Sequence, residues 1–144
     1  MNIAIACDHA AYNVKNKIKN LLISLKHNVI DFGTDSEDPV DYPFYGHHVG
    51  NAVSKLEADK GIVICGSGIG ISIAANKVKG IRAALCTSVQ HAELSRKHND
   101  ANVLALGARL TKYEDIELII RTWLNTEFEG GRHQKRINMI ENNE

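Results

Sequence analysis

Short apolar, β-branched runs alternate along this chain with longer amphipathic stretches, and only two prolines interrupt them. That alternation constrains the fold more than any other feature. A strand buried on both faces cannot be followed at once by a parallel neighbour, so a helix must carry the chain back first, which is the α/β pattern. The spacing predicts strands over 3–7, 29–32, 62–65, 82–86 and 103–106, with helices over about 12–25, 44–56, 71–78 and 113–125. Val14, Ile18, Leu21, Leu22 and Leu25 share one face of the first helix, and Ile116, Ile119, Ile120 and Trp123 share one face of the last of these. A further helix carries Val89, Ala92 and Leu94, and residues 33–42 form a polar loop. Right-handed crossovers are nearly obligatory between parallel strands. The expectation is therefore a three-layer, Rossmann-like (flavodoxin-like) α/β domain with a five-stranded parallel sheet of order 2-1-3-4-5 and helices on both faces. A length of 144 residues suits one domain over 1–144, closed by a polar helical tail from about 130.

In that topology ligands bind beyond the carboxyl ends of the strands, at the switch point between strands one and three. Cys7, Asp8 and His9 then meet residues 65–70, provided that those two strands are neighbours. The second cluster is chemically pointed. In GIVICGSGIGIS the core strand ends in Cys65, and Gly66, Gly68 and Gly70 let backbone N–H groups converge before a helix begins. A base or nucleophile beside an anion cradle is one reading; a packed cysteine followed by an ordinary glycine turn is the other. Several familiar loops are excluded by position. A Walker A loop needs lysine after its last glycine, and a cysteine-phosphatase loop needs arginine six places after the cysteine, but Ile71 stands at both. The spacing is G-x-G-x-G rather than G-x-G-x-x-G, and the next strand ends in Leu85, Cys86 and Thr87 without an acid, against a dinucleotide site. Aromatic residues are only 6% of the chain, too few to favour a flavin sandwich.

Seventeen basic residues balance seventeen acidic ones, so a nucleic-acid partner is not expected. No apolar run approaches membrane-spanning length, and the first residues lack the basic and apolar regions of a signal peptide. Three cysteines, each after an apolar run, suit reduced thiols and a cytoplasmic setting. His98 and Asn99 lie just before the fifth strand, near the sheet's carboxyl edge if the preceding helix ends there; His98 is a site residue or a helix cap. Arg132 and Arg136, four apart, share a helix face as a dianion clamp or are simply solvated. Arg109 joins them or pairs with the closing helix. The seven histidines match no metal-ligand spacing, so neither metal nor cofactor is expected.

Six segments in order carry a resemblance over nearly the full length: CDHA (7–10), DYP (41–43), ICGSGIGISIAANK (64–77), GIRAA (80–84), SRKHNDANVLALGAR (95–109) and EGGRHQKR (129–136). Through them the chain resembles the ribose-5-phosphate isomerase B family, in the group that also holds the galactose-6-phosphate isomerase subunits. The resemblance implies a cofactor-independent aldose-ketose isomerase acting on ribose 5-phosphate and ribulose 5-phosphate through a cis-enediolate. It makes His98 the ring-opening group and Cys65 the base, its thiolate favoured by the following helix N-terminus. Ser67 and the N–H groups of Gly66, Ser67, Gly68, Ile69 and Gly70 would hold the oxyanion. Ser67 stands where many members carry threonine, and Ile71 where another branch carries a catalytic glutamate, leaving Cys65 as the base in this loop. By the same resemblance Asp8 and Asn99 bind sugar hydroxyls and Tyr42 borders the pocket, while His9, Arg109, Arg132, His133 and Arg136 surround the phosphate. A homodimer with active sites at the subunit interface is also implied, with higher assembly left open. The alternatives are a six-carbon aldose 6-phosphate as substrate, of allose or galactose type, and a sugar-phosphate-binding module without turnover.

Overall fold

The computed structural model describes residues 1–142. Its strands are β1 (Asn2–Cys7), β2 (Asn28–Asp31), β3 (Lys60–Cys65), β4 (Ala83–Leu85) and β5 (Val103–Gly107). Its helices are α1 (Tyr12–Ser24), α2 (Tyr42–Ser54), α3 (Ile69–Asn76), α4 (Val89–Asn99), α5 (Tyr113–Asn125) and α6 (Arg132–Asn142). The strands alternate in which layer they feed. Ile3, Ile5, Ile62, Ile64, Leu104 and Leu106 pack with Ile18 and Leu22 of α1, Ala92 of α4 and Ile116, Ile119, Ile120 and Trp123 of α5. Ala4, Ala6, Val63, Cys65 and Ala105 face the other way, onto Val49 and Val53 of α2 and Ile71 and Ala75 of α3. The second layer is built from smaller side chains, so its helices lie close. A Cβ on Gly61 would come within 2.5 Å of Val49 Cγ1, and one on Gly46 within 2.9 Å of Ala74 Cβ.

All five strands are parallel, and their order is β2-β1-β3-β5-β4. The α/β class and the two helical layers are as expected; the order of the last two strands is corrected from 2-1-3-4-5. The physical reason lies in burial. β5 is buried at every position, whereas β4 has three residues, all half-buried, and so belongs at an edge. Asn76 blunts that edge, its side chain donating to the Ala83 carbonyl (2.9 Å) and accepting from the Ala83 N–H (2.8 Å). The adjacency that matters for the site survives: β1 pairs with β3, Cys7 opposite Ile64. Among the described residues no helix is long and apolar enough to cross a membrane.

A candidate active site in two halves

The first half lies at the carboxyl edge of the sheet. β3 delivers Cys65 there, 4% exposed, and the Gly68 N–H donates to its Sγ at 3.1 Å. Gly68 can do so because its backbone is left-handed (φ 79°) and sits where a Cβ would lie 2.7 Å from the Leu106 carbonyl carbon. α3 then starts at Ile69, two residues earlier than predicted. Its first N–H is capped by Ser67, whose Oγ accepts from Ile69 at 3.2 Å. That bond leaves the Ser67 O–H proton free to donate to a ligand. Gly107 of β5 lets the loop lie flat, since a Cβ there would meet the Ser67 carbonyl oxygen at 2.5 Å. Across the switch point Asp8 accepts the Ala10 N–H at 3.0 Å. Burial pushes its carboxyl above the usual range, opposed by that N–H and by the charges of His9 and Arg109.

The walls of this cleft come from three other elements. Tyr42, the first residue of α2, lays its ring over Gly70, where a Cβ would be 2.5 Å from Cζ. Arg109, just past β5, lies over Gly66, its Cδ 3.3 Å from a Cβ placed there. Asp8, Tyr42, Cys65, Ser67, Arg109 and Leu110 are among the residues that line a cleft of about 630 Å³. His9 stands beside it, with Nδ1 accepting the Val40 N–H at 3.1 Å, so that in the neutral ring the proton is on Nε2. Cys7 and Cys86 are buried and are not among the residues that line the cleft. Burial pushes the Cys7 thiol up to about 12 and the Cys86 thiol to about 11, and both stay protonated at neutral pH.

The second half is at the opposite edge. α4 starts under a Ser88 cap, runs antiparallel to the strands and ends at Asp100, a left-handed residue (φ 43°) whose carboxylate accepts from Arg96 Nη1 at 2.7 Å. His98 and Asn99 in its last turn therefore lie at the amino edge, beside the start of β5. The expectation that they approach the carboxyl edge is corrected: a helix that precedes a parallel strand must end where that strand begins. Arg82 fixes the turn, donating to the carbonyls of Asn99 and Asp100, each at 2.9 Å. α6 packs on this end of α4, with the His133 and His98 rings stacked 4.3 Å apart at 12°. His133 is 5% exposed, and burial with the neighbouring His98 pushes its imidazole below the ordinary value. Arg132 and Arg136 are exposed on α6, and Arg109 does not join them within one chain. Asn99, Arg82 and Ile140 help line a second cleft, about 900 Å³.

The sequence suggests one cluster of candidate residues, whereas a single chain holds them in two. Leu110 and Ile73, apolar walls of the first cleft, were missed because nothing in an exposed Leu or Ile marks a ligand site. The His98–His133 stack, joining residues far apart in sequence, has no local signal either. His98, Glu129 and His133 bring ligand atoms within 4.8 Å of one another, the arrangement among the described residues most suited to a metal ion.

Residues 3–140 match the Ribose/Galactose Isomerase family. The chain is 49% identical to ribose-5-phosphate isomerase B of Escherichia coli over 138 residues, 96% of this chain and 93% of that one. The solved structure of Clostridium thermocellum ribose-5-phosphate isomerase B superposes with a TM-score of 0.97 at 52% identity, covering 98% of this chain and 95% of that one. The Mycoplasma genitalium ribose-5-phosphate isomerase B, solved with bound ribulose-5-phosphate, gives a TM-score of 0.93 at 42% identity, covering 96% and 93%.

Proposed function

Because the chain belongs to the ribose/galactose isomerase family, we propose that it is an aldose-ketose isomerase interconverting ribose 5-phosphate and ribulose 5-phosphate. The observation that carries this reading is the Cys65 thiol at the end of β3, hydrogen-bonded by a backbone N–H and set in a cleft with Asp8, Tyr42, Ser67 and Arg109. Its chemistry needs no added group. His98 opens the furanose by giving a proton to the ring oxygen as the C1–O4 bond breaks, and the anomeric hydroxyl loses its proton to leave the aldehyde. Cys65, as thiolate, takes the C2 proton and returns it at C1 through a cis-enediolate. The Gly68 and Ile69 N–H groups are already bonded to Cys65 Sγ and Ser67 Oγ, contrary to the expectation that the whole loop binds the oxyanion, and the Ser67 and Gly70 N–H groups with the Ser67 hydroxyl are left to meet it. Asp8 and Asn99 accept from sugar hydroxyls and Tyr42 closes one wall. The Nε2–H of His9 and the guanidinium of Arg109 bind phosphate from one side, and Arg132, His133 and Arg136 from the other.

The two halves lie at opposite edges of one sheet, so the reading requires a homodimer in which His98 and α6 of one copy complete the Cys65 cleft of the other. Three thiols without disulfide partners suit the reducing cytoplasm. The test is proton NMR of ribose 5-phosphate in D2O. Wild type is expected to form ketose with deuterium entry, Cys65→Ala to do neither, and Cys7→Ala and Cys86→Ala to retain turnover. Failure of wild type on this sugar with turnover of a six-carbon aldose 6-phosphate would change the substrate. Binding without exchange of any of them would make the protein a sugar-phosphate binder.

A further inference from the structure

We propose that His98, Glu129 and His133 form a binding site for one zinc-type divalent ion, and that its occupation switches the enzyme off. Three segments converge there. His98 is in the last turn of α4. Glu129 ends the connection from α5, and its N–H donates to the Lys97 carbonyl at 3.1 Å, which ties this connection to α4. The chain then turns through Gly130 and Gly131, both with positive φ (67° and 56°), so that His133 in the first turn of α6 comes back over His98. His133 Nε2 is 3.6 Å from Glu129 Oε2, and the ligand atoms of all three residues lie within 4.8 Å of one another.

Two imidazoles and one carboxylate, with a fourth position open, are a ligand set that zinc accepts. Bonds of about 2.0–2.2 Å in a tetrahedron need donor atoms roughly 3.4 Å apart. The His133–Glu129 pair is already near that spacing. The His98 nitrogen has to close by about 1.4 Å at most, and since its ring lies face to face with His133 at 4.3 Å and 12°, the half-buried His98 ring must turn out of that stack to present its lone pair edge-on to the ion. Imidazole donors select against magnesium and calcium, and the absence of thiolate or thioether from the cluster selects against copper(I). The exposed Arg132 and Arg136 guanidinium groups lower the affinity below that of a structural zinc site, as befits a reversible effector.

The consequence for activity rests on the proposed isomerase reading. A metal bound to His98 takes the lone pair that would carry the ring-opening proton, so the loaded enzyme cannot start on the furanose.

The test begins without activity. Cobalt(II) is titrated into the full chain carrying Cys65→Ala, in phosphate-free buffer, and followed by visible d–d absorption. One ion per chain is expected, and Glu129→Gln added to the same protein should weaken binding by at least the roughly 10–100-fold that loss of even an outer-shell partner costs. No stoichiometric binding, or binding that Glu129→Gln leaves unchanged, would overturn the site. In the wild-type enzyme zinc should inhibit reversibly on chelation. Glu129→Gln, half exposed and outside the substrate machinery, should keep basal turnover and lose zinc sensitivity in proportion. Inhibition undiminished in Glu129→Gln would put the ion on the Cys65 thiol and overturn the inhibitory role. A wild type that turns over no sugar phosphate would refute the isomerase reading while the cobalt titration still reported on the site.

Discussion

Mixing two inactive variants should restore activity, and the amount follows from where the fold puts Cys65 and His98. Cys65 closes β3 and Lys60 opens it, five steps apart, a rise of about 16 Å at ~3.3 Å per residue. His98 lies at the amino edge, at the Lys60 end of that rise, whereas proton transfer needs heavy atoms roughly 3 Å apart. No side-chain rotation spans the difference, so the proposed site would take Cys65 from one chain and His98 from another. Cys65→Ala and His98→Asn should each lose on the order of 10²–10⁴-fold in turnover. When the two are unfolded together and refolded in equal amounts, about half of the dimers pair unlike chains. In each of those, one site carries both substitutions and the other carries neither, so that about a quarter of wild-type activity returns. Distinct tags let the mixed dimers be counted by native mass spectrometry, and ketose formation is followed by NMR on the same sample. Mixed dimers that form in the expected number while activity stays at the sum of the two parents would refute the shared site and, with it, the assignment of the ring-opening proton to His98.

Gly68→Ala places a Cβ 2.6 Å from Leu85 Cδ1 and 2.7 Å from the Leu106 carbonyl carbon at φ 79°, and should cost ~2–4 kcal/mol in urea unfolding together with most of the activity. Wild-type stability in this variant would show that the loop is not held against β5 as described. Lys15, 1% exposed, donates to both Asp31 carboxylate oxygens (2.7 and 3.0 Å) and to the Thr34 carbonyl (2.7 Å), so Lys15→Met should destabilise by about 3 kcal/mol at neutral pH. Burial alone would push the Asp31 carboxyl up, but the hydrogen bonds from Lys15, Lys19 and the Gly33 N–H outweigh it and hold the group below its ordinary value. Its folded value lies below the unfolded one of about 3.9, so the stabilisation is complete above that pH and is lost as pH falls through the folded value. Wild type and Lys15→Met should therefore converge in stability on acidification; parallel profiles would remove Asp31 as the cause.

Much of this was legible because the relevant signals are local. The run from Ile62 to Cys65 followed by alternating glycines fixes a strand, a sharp turn and a helix start within ten residues, and the structure differs from that expectation by starting β3 at Lys60 and α3 at Ile69, each two residues early. The order of β4 and β5 was not legible. AAL and VLALG are both short apolar runs, and which of them is central depends on Gly107 allowing β5 to lie beneath the Ser67 backbone, a contact between residues forty apart in sequence. The position of His98 was a different kind of miss. Its closeness to β5 in sequence suggests closeness to the active edge, but residues just before a parallel strand lie at that strand's amino end, a consequence of topology rather than of any local signal.

That same rule explains why a fold of this kind divides such a site. In a right-handed βαβ domain every strand ends, and every following helix begins, at one edge; every helix ends at the other. The carboxyl edge supplies N–H groups, glycine turns and the Cys65 thiol, which suit an anion and an enediolate. The end of α4 supplies the basic cluster of Arg96, Lys97 and His98, which favours the negative end of a helix. A reaction that needs both cannot draw them from one sheet without a long excursion of the chain, and α6 does not make one, since it packs on its own α4 and pairs Glu141 with Arg82. In the proposed homodimer, a two-fold axis perpendicular to the strands would do what the chain does not. It would invert one copy, set its amino edge against the other's carboxyl edge and create two equivalent sites in a single interface. Exposed Ile73 and Leu110 at the rim of the Cys65 cleft, and exposed Ile140 at the rim of the cleft beside Asn99, are the apolar groups that such an inversion would bring out of water.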